Sequence, residues 1–285
     1  MNSKTKDKVA TVYFWATGII IILILAWFLV RILGQGVPYL SWHFITGKPQ
    51  ELSAGGGVGP QLFNSFYILL LSMLFSLPIG IGSGIYLAIY AKSNKFTDLV
   101  RISVEALSSV PSIVFGLFGA LLFVNLMGWR FSILGGSATL ALLNLPVLVR
   151  VTEESIRAVP RSFWEASLAL GSTQWQAIRK VLIPASLPGL ITGITLVAGR
   201  ALGETAILIY TAGTAVSRHA PDLDLFAMGE TLAVHLWYVG GSSLAPDAKE
   251  IAAGSGALLV LVVLAFNLII AIPSRIVSKK IGGGK

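Results

Sequence analysis

Apolar residues along this 285-residue chain fall in long blocks, and polar residues are concentrated between them. The blocks cover about 11–32, 62–90, 103–127, 132–150, 188–212 and 252–273. A helix rises about 1.5 Å per residue, so some 20 apolar residues cross a hydrocarbon core of about 30 Å. Backbone amides in that core need partners within their own helix. The pattern therefore predicts an all-α polytopic membrane protein with six transmembrane helices, forming one transmembrane domain over residues 1–285. The third block has Pro111 near its start. The first has an apolar run too long for a signal peptide and no small-x-small site after it, so it reads as a retained helix.

Between the blocks lie outer segments at about 34–60 and 213–250 and an inner loop at about 151–187. The run "SAGGGVGP" in the first outer segment lacks the preceding strand that a phosphate-cradling loop needs, and reads as a flexible entry to the second span. Gly80 and Gly84 make a small-xxx-small pair, which predicts close helix packing. The stretch 223–239 is mixed apolar and polar and predicts an interfacial outer helix.

The inner loop contains "VPRSFWEASLALGSTQWQAIRKVLIP". Pro160 suits a first helical position, and Ser162 and Glu165 have capping-box spacing. Gly171 suits a left-handed helix stop, and Thr173 and Gln176 repeat the box. The loop thus predicts two capped helices with a glycine corner, the second running to Pro184.

Composition sharpens the picture. The chain is 55% hydrophobic and 12% charged, with a formal net charge of +8. With the termini inside, fifteen lysines and arginines face the inner side, among them Lys92, Lys95, Arg101, Arg150, Arg157 and Arg161. Five face outward: Arg31, Lys48, Arg130, Arg218 and Lys249. This asymmetry predicts both termini in the cytoplasm. It also accounts for the positive charge without nucleic acid, for which no basic stripe with interleaved aromatics exists. Cysteine is absent, which removes disulfides and thiolate chemistry. His43, His219 and His235 are scattered over outer segments and read as surface or interfacial histidines rather than metal ligands.

One charge pair falls inside an apolar block. Arg200 lies about twelve residues beyond Pro188, or roughly 18 Å along a helix, near mid-bilayer. Glu204 follows one turn later, on the same face of a continuous helix. A charge at that depth costs about 3 kcal/mol, so it faces a cavity or a partner. Two readings stand: a self-satisfied ion pair that joins helices, and a translocation path for an oxyanion, which guanidinium grips by forked hydrogen bonds. Glu105, just inside the third span, reads as interfacial.

The loop's "EASLALGSTQWQAIRKVLIP" resembles the EAA loop of permease subunits of ATP-binding-cassette (ABC) importers, departing from its pattern at Ser167, Val181 and Ile183. "GGGVGPQLFNSFYI", "VPSIVFGLFGALLF" and "GRALGETAILIYTAGT" are similar to phosphate-specific (Pst) importer permeases, of the PstA type, over about residue 55 to the sixth span. The chain departs at Ile207, where many members have proline. The resemblance implies a type I ABC importer permease fold whose loop, at Glu165, Ala166, Gly171 and Pro184, docks on an ATPase subunit and transmits its closure. It assigns Arg200 and Glu204 to the phosphate path. It implies a prokaryotic plasma-membrane assembly with a second homologous permease subunit, two ATPase subunits and an extracytoplasmic phosphate-binding protein. This chain has no G-x4-G-K-[ST], and the resemblance implies that ATP and magnesium are held by the ATPase partners and that the chain is a transport subunit, not an enzyme. The alternatives are a permease for sulfate or molybdate, a channel or secondary transporter, and an intramembrane enzyme. The last finds no H-E-x-x-H, cysteine or intramembrane aspartate pair to support it.

Overall fold

The computed structural model describes residues 3–50, 52–217 and 221–281. Arg218, His219 and Lys285 lie outside them. Twelve α-helices are described. They are α1 Ser3–Gly36, α2 Trp42–Thr46, α3 Gly59–Ile85, α4 Lys95–Ser108, α5 Ser112–Gly119 and α6 Ile133–Arg157. Then come α7 Arg161–Ala169, α8 Gln174–Ala177, α9 Ile183–Leu202, α10 Ala206–Thr211, α11 Leu232–Ser242 and α12 Ala248–Ile281. Wider π turns extend α3 over Tyr86–Tyr90 and α5 over Ala120–Leu126, and join α8 to α9 over Ile178–Leu182.

Helix α6 is the axis of the bundle and packs against α3, α4, α5, α9 and α10. Small residues set these contacts. A Cβ on Gly80 would sit 2.6 Å from Leu148 Cβ, and one on Gly84 would overlap Thr152. The predicted close packing of the second span is thus present, against α6. Gly136 likewise admits Ala212 of the α10 end, and Gly116 of α5 admits the α10 backbone. Between these contacts a core of Ile68, Met73, Leu140, Leu148, Val197, Ala201 and Leu208 is sealed from solvent. Helix α1 lies outside the bundle with its side chains exposed, as suits a lipid-facing span, and meets α12 at Gly36.

Five of the six predicted spans contain a single helical stretch long and apolar enough to cross a membrane, and the third is a bent pair. The third is bent by 95° between α4 and the segment Ser112–Leu126. Pro111 has no N–H to continue α4 and biases Val110 away from helical geometry, so the chain restarts there in a new direction. The fifth is one stretch from Gln174 to Leu202, after which the helix breaks before α10.

The outer segments are more ordered than the sequence suggests. The glycine-rich run is no loose tether. Gly57 N–H donates to the Lys48 carbonyl, Val58 N–H to Phe44 and Gly59 N–H to Gly47. A Cβ on Gly57 would collide with the Gly47 backbone, so glycine serves close approach here. Residues 223–239 do not form one interfacial helix either. Ile133 and Leu134 N–H groups donate to the carbonyls of Ala227 and Leu225, fastening this stretch to the start of α6. Helix α11 then begins at Leu232 with Thr231 as its cap, and buries Leu232, Val234, His235 and Val239 against the bundle. Its neighbours are α3, α10 and α12.

Candidate functional site

The break in the fifth span falls between the two predicted path residues. Helix α9 ends at Leu202, and Gly203 N–H folds back to the Arg200 carbonyl at 3.1 Å. Glu204 N–H reaches the Ala201 carbonyl at 3.3 Å, which closes the helix with a tight final turn. Thr205 Oγ1 donates to the Gly203 carbonyl, and α10 starts at Ala206. Arg200 thus stands in the last turn of α9 while Glu204 stands in the break. The expected i,i+4 pairing on one continuous helical face does not occur. Among the described residues neither side chain makes an ion pair or hydrogen bond, so the self-satisfied pair is replaced by two unpaired groups. Arg200 is exposed on the subunit surface, whereas Glu204 is buried at 9% exposure.

The depth of this point follows from helix register. Gly189 abuts Ser155 and Gly193 abuts Val151, an antiparallel match of α9 with α6. Carried along α9, it sets Arg200 level with Asn144, near the midpoint of α6. Two amides missed by the sequence reading lie at about this level. Asn144 is 2% exposed and its amide nitrogen has no partner. Asn267 of α12 lies against the backbone of Gly199, 3.2 Å from where a Cβ would stand, and donates to the Val263 carbonyl. Each is an isolated polar residue in an apolar block, the same signal that singled out Arg200.

At the far end of α6, the loop residues form a separate surface. Helix α7 starts at Arg161 with Pro160 as its cap residue, and no side chain caps it. The first predicted capping box is therefore absent: it needs Ser162 as the cap, and the helix starts two residues too early for that, which places Ser162 inside the first turn. The second box is present: Thr173 Oγ1 accepts from Gln176 N–H, and Gln176 Oε1 accepts from Thr173 N–H. Gly171 has φ +83°, the left-handed stop expected of it. Pro184 does not end the second helix. The π turn at Ile178–Leu182 gives the slack that a residue without an N–H needs, and the helix runs on as α9. Glu165, Ala166 and Gly171 are exposed at the tip with Phe163, Leu170 and Trp175, so the end of the loop presents apolar surface outward.

Behind the tip, Glu153 of α6 binds Arg101 Nε and Arg157, each at 2.9 Å, and ties α4 to the root of the loop. Glu105 is exposed and lies 3.4 Å from Arg150. His43 is exposed and lies 3.2 Å from the Gly55 carbonyl. His235 departs from the surface role expected of it. It is buried, with Nδ1 3.1 Å from Glu230 Oε2, and Gln61 Nε2 donates to the same oxygen at 2.8 Å.

Comparison with known proteins fits this arrangement. Residues 80–283 match the family of the binding-protein-dependent transport system inner membrane component. The chain is 48% identical over 278 residues to the probable ABC transporter permease protein YqgI of Bacillus subtilis, covering 94% of this chain and 95% of that one. It is 33% identical over 265 residues to the phosphate transport system permease protein PstA of Haemophilus influenzae, covering 93% and 92%. A bacterial ABC transporter that imports the acidic polysaccharide alginate shares the fold, with a TM-score of 0.68 at 15% identity over 95% of this chain and 96% of that one. The all-helical bundle and this likeness establish the type I importer permease fold. The chain belongs to the binding-protein-dependent transport system inner membrane component family, as a permease subunit of an ABC importer.

Proposed function

We propose that this permease carries inorganic phosphate, and that Arg200 and Glu204 line its half of the path. The observation that carries this reading is the unpaired Arg200 guanidinium, exposed on the bundle surface level with the middle of α6, beside a break that holds an unpaired carboxylate. A guanidinium offers two parallel N–H bonds to an oxyanion. The Glu204 carboxylate accepts a hydrogen bond from an oxyanion that still carries a proton and repels a fully ionised one. Phosphate near neutral pH carries such a proton and sulfate does not, so the pair favours phosphate over sulfate or molybdate. Similarity to PstA of Haemophilus influenzae supports the same substrate.

In this reading the chain pairs with a second, homologous permease subunit, and an extracytoplasmic phosphate-binding protein delivers the anion to the outer side. Two ATPase subunits bind ATP with magnesium and close on the loop around Glu165, Ala166, Gly171 and Pro184. The lysine and arginine asymmetry supports a cytoplasmic side, in a prokaryotic cell, for that loop and both termini. Loop movement then passes into α9 directly, since α8 and α9 form one helical stretch and Arg200 stands in its last turn.

Radiolabelled uptake with competing oxyanions tests this. A charge-assisted hydrogen bond is worth about 1.5–3 kcal/mol, roughly 10- to 100-fold. Arg200→Ala is expected to lower phosphate uptake by that factor with the complex still assembled. Glu204→Gln is expected to let sulfate compete. Unchanged phosphate uptake by Arg200→Ala, or sulfate or molybdate preferred by the unaltered protein, overturns the assignment.

A further inference from the structure

Helix α4 leaves its large apolar side chains uncovered. Thr97 and Arg101 turn toward the protein, whereas Asp98 and Glu105 stay exposed. Arg101 Nε donates to Glu153 at 2.9 Å and an Arg101 terminal N–H to the Leu87 carbonyl at 3.1 Å, while Glu105 meets Arg150. Its large apolar side chains turn away. Phe96, Leu99 and Ile102 are 72%, 59% and 63% exposed. A helix whose free side meets water shows the opposite arrangement, so the medium on this side of α4 is apolar.

The 95° bend at Pro111 locates that medium. Two segments at this angle cannot both run along the membrane normal. The segment 112–126 packs within the bundle against α6 and α10. Helix α4, with Lys95, Asp98, Arg101 and Glu105 in 14 residues, is too charged to lie in the hydrocarbon centre. It therefore turns across the surface at the loop end of the bundle. At its start Lys92 and Lys95 are exposed and have no carboxylate partner among the described residues. Apolar side chains on the outward face with lysines at the rim form the pattern of a helix lying at an anionic lipid surface.

We propose that α4 lies in the boundary between headgroups and acyl chains of the leaflet on the loop side and binds anionic phospholipid there. Phe96, Leu99 and Ile102 sit among acyl chains, and Lys92 and Lys95 meet the phosphodiesters. The rear face of the helix is joined through Arg101 and Glu153 to Arg157, so this lipid contact is one shared carboxylate away from the root of the coupling loop.

The absence of native cysteine makes the test direct. Leu99→Cys, or Ile102→Cys should the first not assemble, is labelled with a fluorophore in the full transporter complex and reconstituted into bilayers. Brominated phosphatidylglycerol and brominated phosphatidylcholine are then compared as quenchers. Both are expected to quench, with phosphatidylglycerol preferred by about fivefold or more, the contribution of a single lysine near an anionic surface. Lys92→Gln with Lys95→Gln is expected to keep the quenching and lose the preference. Absence of quenching by either lipid overturns the proposal, since water or another subunit then covers the face. Equal quenching in the unaltered protein, or a preference that survives loss of both lysines, overturns it as well. The readout involves no substrate, so its outcome is separate from that of the uptake assays.

Discussion

Replacing Glu230 tests how the outer end of the bundle holds together. Glu230 is 3% exposed, and its Oε2 accepts from Gln61 Nε2 at 2.8 Å with His235 Nδ1 at 3.1 Å. Gln61 is itself fully buried. Its cluster joins the first turn of α3 to α11, and Asn64 Nδ2 adds a bond of 3.1 Å to the Glu230 carbonyl. Glu230→Ala takes the shared acceptor away and leaves the Gln61 amide and the His235 ring with only each other, 3.3 Å apart. Loss of the hydrogen bonds to a charged acceptor, partly offset by that remaining contact, is expected to cost about 1–3 kcal/mol. Glu230→Gln keeps an acceptor of the same shape and is expected to cost no more than about 1 kcal/mol. Gln61→Leu in the Glu230→Ala background removes the amide that has lost its carboxylate, so the double variant is expected to be more stable than the sum of the two single losses implies. The assay is thermal unfolding of the purified complex in detergent, followed by intrinsic fluorescence. Equal stability of Glu230→Ala and the unaltered protein refutes the reasoning, and so does strict additivity in the cycle.

Two further changes follow from the backbone. Gly80→Val places a side chain where Leu148 Cβ lies only 2.6 Å from a new Cβ, so overpacking is expected to cost about 1–3 kcal/mol in the same unfolding assay. Gly82→Ala, with nothing within 4 Å, serves as the matched neutral control. Gly171→Ala forces a Cβ into a φ of +83°, at about 1–2 kcal/mol, and is expected to loosen the corner between α7 and α8. Faster amide hydrogen exchange over residues 170–177, with melting of the transmembrane bundle unchanged, is the result to look for.

Much of the fold was legible because a bilayer demands long apolar runs. The blocks at 62–90 and 132–150 correspond to helical stretches at Gly59–Tyr90 and Ile133–Arg157. The loop was legible for a different reason: Gly171 and the Thr173–Gln176 box act through neighbouring atoms, so their geometry is local. Hydropathy carries no information on chain direction, and it ran through the bend at Pro111 and the break after Leu202 as if both were straight. Both left a trace in the sequence. Pro111 lacks an N–H, and Gly203 followed by Thr205 weakens a helix from both backbone and side chain. The burial of His235 left no local trace, because its partner Gln61 is 174 residues away. Thr231 does signal the start of α11, with its Oγ1 accepting from Val234 N–H, but nothing near it tells which face is covered.

The buried ionisable side chains among the described residues divide in a way that bears on function. Glu153 lies between two arginines, and Glu230 and His235 share a hydrogen-bonded cluster with Gln61. Each of these joins elements distant in sequence, which is reason enough for its presence. Glu204 joins nothing. It sits in the interruption of a span, buried and unpaired, near a guanidinium that is also unpaired. A lone charge at mid-bilayer costs about 2.5–3.5 kcal/mol. No contact among the described residues offsets that cost for Glu204, and this is the reason the proposed path is drawn past it. Glu204→Gln weighs the two sides directly: a gain in stability together with a loss of phosphate selectivity is the expected outcome, and a gain in stability alone removes Glu204 from the proposal.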